Sequence, residues 1–295
     1  MQTTNQDQAE YWGNSASGQK WLTFEEHIAG VFAPVVDLIL DHAELKPGQR
    51  VLDIGCGVGD TTLAAAQAVG PTGHVLGADI SAPFLDRARQ RTRALDNVDF
   101  AVADAQTEPF YPADRDAMIS RFGMMFFSDS VAAFANIAKG LKPGGHMTFA
   151  AWGPLAVNPW FYIPHRAATD HLGQPPKVDR NAPGPLAFHD IDRVIGMMTK
   201  AGLTEIEAQA VEMKLTPPGG LTGAAALCTR LGPAARVLAH FGGTSEDETT
   251  IQGAVTTALT PYLGPCSPAR HHQPVPGPTR RNRLTPLRHL RIRSR

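Results

Sequence analysis

Short apolar segments alternate with amphipathic segments between residues 50 and 152, and this alternation restricts the fold more than any other feature. The apolar runs have the length of strands, whereas the segments between them carry apolar residues at helical spacing. The strand-like runs are RVLDI, HVLGADI, VDFAVAD, DAMISRF and HMTFAAW. Strands that alternate with helices pair in parallel through right-handed crossovers. The sequence therefore predicts an α/β protein with a doubly wound, mainly parallel sheet that helices cover on both faces.

The loop after the first predicted strand is rich in glycine. In VLDIGCGVGD, Asp53 lies within the strand, and Gly55, Gly57 and Gly59 follow it before a helix begins. Glycine lets the backbone approach a ligand closely, and the first turn of a helix attracts anions through its free N–H groups. By itself this pattern fits a nicotinamide dinucleotide equally well.

Acidic residues stand at the ends of three successive predicted strands, at Asp53, Asp79 and Asp104. A carboxylate after the second strand can accept both hydroxyls of a ribose, and one after the third can accept an exocyclic amine such as adenine N6. Three carboxylates would repel a pyrophosphate but suit a cationic ligand that contains adenosine. S-adenosylmethionine carries a sulfonium, an ammonium, a ribose diol and an adenine amine, so it is the predicted cofactor.

The same segments resemble class I S-adenosylmethionine-dependent methyltransferases, and in particular the bacterial group similar to the ubiquinone and menaquinone biosynthesis methyltransferases. The resemblance is carried by residues 51–81, the VADAQ segment and residues 120–152. It implies a Rossmann-like methyltransferase fold, with helical segments covering the sheet before the first strand and after the fifth. It also implies transfer of a methyl group to a small-molecule acceptor, such as a secondary metabolite or a quinone-like aromatic.

The resemblance implies a set of cofactor-binding residues at four strand ends. The first group lines the methionine-side pocket, the groups at 79 and 104 hold the adenosine, and the last lies near the reacting methyl. In chain order they are Asp53, Gly55, Gly57, Gly59, Asp79, Ile80, Asp104, Ala105, Ser120, Arg121 and Phe122.

Methyl transfer is an in-line displacement that depends largely on alignment and exclusion of water, so it requires no conspicuous catalytic residue. A phenol or enol acceptor would benefit from a general base. His27, His165 and His189 are the candidates, because they lie in segments expected to cover the strand ends. No metal-ligand spacing is present, so no metal is predicted.

Two other functions fit part of the pattern. An NAD(P)-dependent oxidoreductase of the Rossmann type shares the strand, glycine loop and helix, but it accounts poorly for Asp53 and Asp104. A non-catalytic protein that binds S-adenosylmethionine also fits, because the sequence identifies no residue that must activate an acceptor.

The chain is predicted to consist of four segments. These are an N-terminal helical cap (1–45), a cofactor-binding core (46–152), acceptor-covering helices with a sixth strand (153–264) and a basic tail (265–295). The tail has eight arginines and no acid; without those eight, 19 basic residues face 28 acidic ones, so residues 1–264 carry about −9. Because the tail is rich in proline and arginine, we expect it to be disordered. The composition changes abruptly where the tail begins, which indicates a shifted reading frame. The alternative is a functional basic arm that binds nucleic acid or anionic lipid.

Sheets of this class normally insert a seventh strand between the fifth and the sixth, and no alternating apolar run after Tyr262 is available for it. Unpaired edges on those two strands would favour self-association, so a homodimer is expected. No apolar run reaches the length of a bilayer crossing, and the polar start lacks a signal pattern, so we expect a cytoplasmic protein without a membrane span. The acidic body predicts no nucleic-acid partner.

Overall fold

The computed structural model describes residues 5–13, 15–110 and 112–262, together with the backbone of a strand at 285–293. The helices are α1 (Gln6–Gly13), α2 (Ala16–Thr23), α3 (Glu25–Ala43), α4 (Asp60–Val69), α5 (Ala82–Thr92), α6 (Ser130–Ala138), α7 (Pro159–Leu172), α8 (Ile191–Lys200), α9 (Gly220–Arg230), α10 (Pro233–Phe241) and α11 (Ser245–Leu259). The strands are β1 (Arg50–Ile54), β2 (His74–Asp79), β3 (Val98–Val102), β4 (Arg115–Arg121), β5 (Leu141–Trp152), β6 (Thr204–Met213) and β7 (Thr285–Arg293).

The strands form one sheet in the order β3-β2-β1-β4-β5-β7-β6. The first five strands are parallel, and Asp53 of β1 lies opposite Gly77 of β2 and Ile119 of β4. The predicted α/β architecture with a doubly wound, mainly parallel sheet is therefore confirmed. Strand order reverses between β1 and β4, and ligands of open α/β sheets bind at the carboxyl ends of the strands at such a point.

The seventh strand departs from the prediction. β7 runs antiparallel to β5, with Trp152 opposite Leu287 and His146 opposite Arg293, and it lies between β5 and β6. The expectation that the whole tail lies outside the fold is therefore wrong for Thr285–Arg293, while the rest of the tail lies outside the described residues. The sequence did not indicate this strand, because strands were inferred from alternating apolar side chains. Strand pairing itself uses main-chain groups, which arginine also carries. The argument for a dimer through open edges of β5 and β6 thereby loses its basis.

The chain divides into two compact units, and the division differs from the predicted segments. The first comprises Met1–Pro154, Lys177–Val211 and Pro286–Arg295, and the second comprises Leu155–Pro176 and Glu212–Thr285. The N-terminal helices thus belong with the sheet rather than forming a separate cap. Residues 177–211, which contain α8 and most of β6, also belong to the sheet unit and not to the covering helices.

Helices on the two faces of the sheet build the core of the first unit. On α3, Val31, Val35 and Ile39 are fully buried, because a spacing of four residues places them on one face of the helix. Elsewhere in this unit the rings of Phe134, Phe149 and Phe188 pack together, with centroids 5.8 to 6.1 Å apart.

The second unit is a cluster of four helices with its own core. Small and branched residues from α7, α9, α10 and α11 pack together, among them Ala168, Ala225, Ala234 and Ile251. The imidazole of His171 contacts the Asp247 carboxylate at 2.7 Å. Backbone and side-chain hydrogen bonds from Thr244, followed by that from His171, lower the pKa of Asp247 to about 2. Among the described residues, no helix is both long enough and apolar enough to cross a membrane.

Candidate functional site

The glycine loop connects β1 to α4 and takes a conformation that only glycine adopts easily. Gly55, Gly57 and Gly59 have φ angles of 63°, 57° and 88°. A Cβ atom on Gly55 would lie 2.7 Å from the Cα of Gly123, so the loops after β1 and β4 touch through their backbones. A Cβ atom on Gly57 would meet nothing within 4 Å. Gly55 therefore serves packing, whereas Gly57 borders open space that a ligand can use.

Replacing Gly55 by alanine is expected to destabilise the sheet unit more than the same change at Gly57. Both variants introduce strain at positive φ, roughly 1–2 kcal/mol, but only Gly55→Ala also overpacks a backbone contact, for roughly 1–3 kcal/mol more. Hydrogen exchange of the β1 and β4 amides measures the difference. Equal loss of protection in the two variants would contradict this account of the loop.

Asp53 is fully buried beside the glycine loop. Its Oδ2 accepts a hydrogen bond from Thr62 Oγ1 at 2.7 Å, and its Oδ1 has no hydrogen-bond partner among the described residues. Burial raises the pKa of Asp53 to about 7, against the lowering effects of the Thr62 hydrogen bond and the Arg121 charge. A carboxyl group in this state is suited to a cationic partner, which would restore its ionised form.

Asp79 ends β2 and bridges the loops after β1 and β2. Its Oδ2 accepts from Gly57 N and its Oδ1 from Ser81 N, each at 2.8 Å. Burial raises the pKa of Asp79, and these backbone N–H groups partly offset the effect. A carboxylate offers about four acceptor positions, so Asp79 can still accept from a ligand hydroxyl. Ile80 follows at the same edge and is half-buried.

Asp104 follows β3 and is bound by the start of the chain. Its Oδ1 accepts from Asn5 Nδ2 at 2.8 Å and from Gln106 N at 3.0 Å, and its Oδ2 accepts from Asn5 N at 3.3 Å. Asn5 is buried, and its Oδ1 accepts from Ser128 N at 2.8 Å. The group predicted to bind an exocyclic amine thus already accepts from a protein carboxamide of similar chemistry. The neighbouring Ala105 is also buried.

The helix that follows Asn5 is anchored to the same edge of the sheet. Ser81 Oγ donates to the carbonyl oxygen of Trp12 at 2.8 Å. The Trp12 ring packs against Trp21, Phe84 and Phe126 at centroid distances of 5.6, 6.1 and 5.3 Å. Helix α1 is therefore fixed beside the residues that follow β2 and β4.

The residues after β4 form the other side of this edge. Ser120 Oγ donates to the carbonyl oxygen of Ile54 at 2.6 Å, which links β4 to β1. Phe122 has a φ of 65°, which is strained for an aromatic residue and costs on the order of 1–3 kcal/mol. Its ring stacks on Trp152 with centroids 4.5 Å apart and planes at 6°, and it meets Phe32 edge-on at 5.3 Å. Phe32, Phe122 and Trp152 thus form an aromatic cluster in the sheet unit, next to the ends of β4 and β5.

Arg121 makes an ion pair with the first residue of α4. Its Nη2 donates to Asp60 Oδ2 at 2.9 Å, and its side chain is 13% exposed. The buried Nη1 has no hydrogen-bond partner among the described residues. Arg91 also donates to Asp60, at 2.7 Å.

The three candidate histidines occupy different surroundings. His27 is exposed on α3, and His189 is half-buried before α8 with its Nδ1 2.8 Å from the carbonyl oxygen of Leu186. His165 belongs to α7 in the second unit, where burial lowers its pKa. The sheet unit thus contains two of the three candidates.

The fold brings together most of the predicted cofactor residues, and it adds some that sequence reasoning missed. The three acids, the glycine loop and residues 120–122 all lie in the sheet unit, at the carboxyl ends of β1, β2, β3 and β4. The missed residues are Asn5, Asp60 and Gln106. Only Asp60 had a signal in the sequence, as the acid at the start of the helix after the loop. Within the described ranges, no group of three or more His, Cys, Asp or Glu side chains could hold a metal ion.

Comparison with known proteins finds similarity over the part of the chain that holds the glycine loop and the strand ends. Residues 51–145 match the model of a methyltransferase domain. Over 138 residues the chain is 34% identical to aklanonic acid methyltransferase of Streptomyces sp. (strain C5), covering 46% of this chain and 63% of that protein. Over 101 residues it is 37% identical to demethylmenaquinone methyltransferase of Staphylococcus aureus (strain JH9), covering 34% of this chain and 42% of that protein. The chain thus spans less than two thirds of each of these relatives.

A solved structure supports the same fold. Phosphoethanolamine N-methyltransferase 2 of Haemonchus contortus superposes with a TM-score of 0.52 at 18% identity, covering 100% of this chain and 58% of that one. At this level of identity the likeness concerns the fold alone. Residues 51–145 thus match a methyltransferase domain, and the fold of the chain is similar to that of a methyltransferase solved with S-adenosylmethionine or S-adenosylhomocysteine.

Proposed function

We propose that this protein transfers the methyl group of S-adenosylmethionine to a small, flat acceptor, such as a quinone-like aromatic or a secondary metabolite. The observation that carries the proposal is the buried Asp53 carboxyl, whose Oδ1 has no partner among the described residues. A buried acceptor without a donor is costly, and a ligand ammonium would remove the cost. A pyrophosphate placed there would make the electrostatics worse.

The proposed cofactor contacts follow the edge of the sheet. Asp53 and the glycine loop would hold the methionine end, Asp79 and Ile80 the ribose, and Asp104 and Ala105 the adenine. The bound cofactor supplies an electrophilic methyl group. The chain's own residues bind it, orient it and exclude water from it.

The acceptor class is inferred from the aromatic cluster of Phe32, Phe122 and Trp152. The Phe122 ring stacks in parallel on Trp152, next in the chain to Ser120 and Arg121, and such an apolar surrounding would suit a flat acceptor. The names of the two relatives, which point to aklanonic acid and demethylmenaquinone as their acceptors, favour the same class.

A base for a phenol or enol acceptor is proposed among His27, His165 and His189. Burial lowers the pKa of His165, which keeps more of its imidazole neutral at neutral pH, and only the neutral form accepts a proton. A cytoplasmic location and the absence of a nucleic-acid partner stay predictions, and so does the homodimer.

The test combines binding with turnover. Purified protein is titrated calorimetrically with S-adenosylmethionine, S-adenosylhomocysteine, NADH and NADPH, and then incubated with methyl-labelled donor and a panel that includes demethylmenaquinol and aklanonic acid. We expect binding of the first two ligands and label in at least one acceptor. Tight NAD(P)H binding without heat from S-adenosylmethionine would establish the oxidoreductase instead. Binding without label transfer across the panel would favour a non-catalytic cofactor-binding protein.

A further inference from the structure

Two buried polar atoms of opposite character lack partners near the start of α4. They are Oδ1 of Asp53, an acceptor, and Nη1 of Arg121, a donor. A buried polar atom without a partner destabilises a protein, and the cost is larger when its group is charged or can become charged. β1 and β4 are adjacent and parallel with Asp53 opposite Ile119, so Arg121 lies two residues further toward the carboxyl edge. An unsatisfied pair at a strand edge indicates a ligand with both kinds of charge.

The second oxygen of Asp53 and the second terminal nitrogen of Arg121 are both held by side chains in the first turn of α4. Thr62 Oγ1 donates to Asp53 Oδ2 at 2.7 Å, and Arg121 Nη2 donates to Asp60 Oδ2 at 2.9 Å. The Phe32 ring lies 5.9 Å from Cζ of Arg121 and limits where the guanidinium can move. Both free atoms are therefore held in place before any ligand arrives.

The charge balance at this turn favours an anion beside Arg121. Asp60 is shared by two guanidinium groups, since Arg91 Nη2 donates to its Oδ1 at 2.7 Å. One carboxylate thus faces two cations, and the first-turn N–H groups of α4 add to the positive potential. The two arginines differ, because Arg91 Nη1 donates to the carbonyl oxygen of Val58 at 2.7 Å whereas Arg121 Nη1 has no such partner.

We propose that Asp53 and Arg121 together hold the amino-acid end of the cofactor, with Asp53 Oδ1 accepting from its ammonium and Arg121 Nη1 donating to its carboxylate. This inference rests on the proposed function and reassigns Arg121 from the reacting methyl to the methionine carboxylate. An anionic oxygen of the acceptor is the competing ligand for Nη1. The pair explains why a buried acid and a half-buried arginine occur together at one strand edge.

The experiment combines a protein variant that lacks the Arg121 guanidinium with ligands that lack the methionine carboxylate. Wild type and Arg121→Met are titrated with S-adenosylhomocysteine, with its analogue lacking the carboxylate, 5′-(3-aminopropylthio)adenosine, and with 5′-methylthioadenosine. We expect Arg121→Met to bind S-adenosylhomocysteine about 10- to 100-fold more weakly, as for a lost charge-assisted hydrogen bond. Its affinity for the other two ligands should change less than about threefold. Arg91→Met is the matched control, because it removes the other arginine that pairs with Asp60 and leaves Arg121 Nη1 in place. Its affinity for S-adenosylhomocysteine should stay close to that of wild type.

Wild type alone provides a second measurement if Arg121→Met does not fold. It should lose about 10- to 100-fold in affinity when the carboxylate is removed from the ligand. Equal weakening of all three ligands in Arg121→Met would overturn the inference, because it would indicate a purely structural arginine. Unchanged S-adenosylhomocysteine affinity with lower turnover would also overturn it, in favour of the acceptor. If wild type bound none of the three adenosine ligands, the proposed function itself would fall.

Discussion

Replacing Asp53 by asparagine is expected to stabilise the ligand-free protein at pH 8, although asparagine is usually no better than aspartate in a core. Burial raises the pKa of Asp53 from 3.8 in an unfolded chain to about 7 in the folded protein. Between those values the folded state binds the extra proton, so stability falls as the pH rises. At pH 8 the ionised, buried carboxyl lowers the free energy of unfolding by on the order of 4 kcal/mol, and at pH 5 it lowers it by less than half as much.

Asparagine keeps the acceptor for Thr62 and removes the charge, at the cost of an unpaired N–H group worth roughly 1–3 kcal/mol. We therefore expect thermal unfolding of Asp53→Asn to occur several degrees above wild type at pH 8, with a smaller or reversed difference at pH 5. Differential scanning calorimetry at the two pH values, without ligand, measures both. A variant that is less stable than wild type at pH 8 would show that ionisation of the buried Asp53 carboxyl does not destabilise the wild-type protein.

Asp116→Asn is the matched control, because the pKa of that carboxyl is shifted in the opposite direction. Burial acts to raise the pKa of Asp116, but its contacts with Arg50 N at 2.7 Å and Lys142 Nζ at 2.8 Å outweigh burial and lower it. Its ionised form therefore stabilises the fold above the unfolded pKa, and the stabilisation is lost as the pH falls. Asp116→Asn should unfold at a lower temperature than wild type at pH 8.

Asp79→Ala is expected to lose roughly 30- to 1,000-fold in cofactor affinity, which corresponds to roughly 2–4 kcal/mol. Two effects contribute, because Asp79 is proposed to accept the ribose hydroxyls and also holds Gly57 N and Ser81 N, each at 2.8 Å. The loss should be the same for S-adenosylmethionine and S-adenosylhomocysteine, since both contain the ribose. Calorimetric titration of the two ligands is the measurement.

Two further variants separate a local loss from a general one. Asp104→Ala should weaken both ligands less than Asp79→Ala, because one amine contact is lost and water can replace it. Asp99→Ala should change neither affinity, since that carboxylate is 76% exposed on β3 and pairs with His74 at 2.9 Å. Unchanged binding by Asp79→Ala would remove the account of how the ribose is held and leave the cofactor itself unaffected.

The sheet and the glycine loop could be predicted because their signals are local. Strands β1, β2, β4 and β5 bury side chains whose apolar pattern can be read from a short stretch of sequence. Gly55, Gly57 and Gly59 have positive φ angles, which glycine adopts most easily. The acids at 53, 79 and 104 could be recognised for the same reason, since each lies within, ends or closely follows a strand pattern.

The contacts that escaped prediction join distant parts of the chain. Asn5 reaches Asp104 across 99 positions through one small polar side chain, and no spacing rule connects the two. The free Nη1 of Arg121 depends on how two arginines share Asp60, which is a matter of packing rather than of pattern. β7 was missed because its pairing with β5 relies on backbone groups, whereas the prediction of strands relied on a pattern of apolar side chains.

The position of β7 in the chain has a consequence for synthesis of the protein. β6 ends at Met213 and borders β7, which begins only at Thr285, so the ribosome must add 72 residues before that neighbour exists. At about 5–20 residues per second this delay lasts roughly 4–14 seconds. During that interval the nascent sheet exposes the edge of β5, and an exposed edge can pair with another nascent chain. Yield on expression should therefore depend on how fast the last quarter of the message is translated.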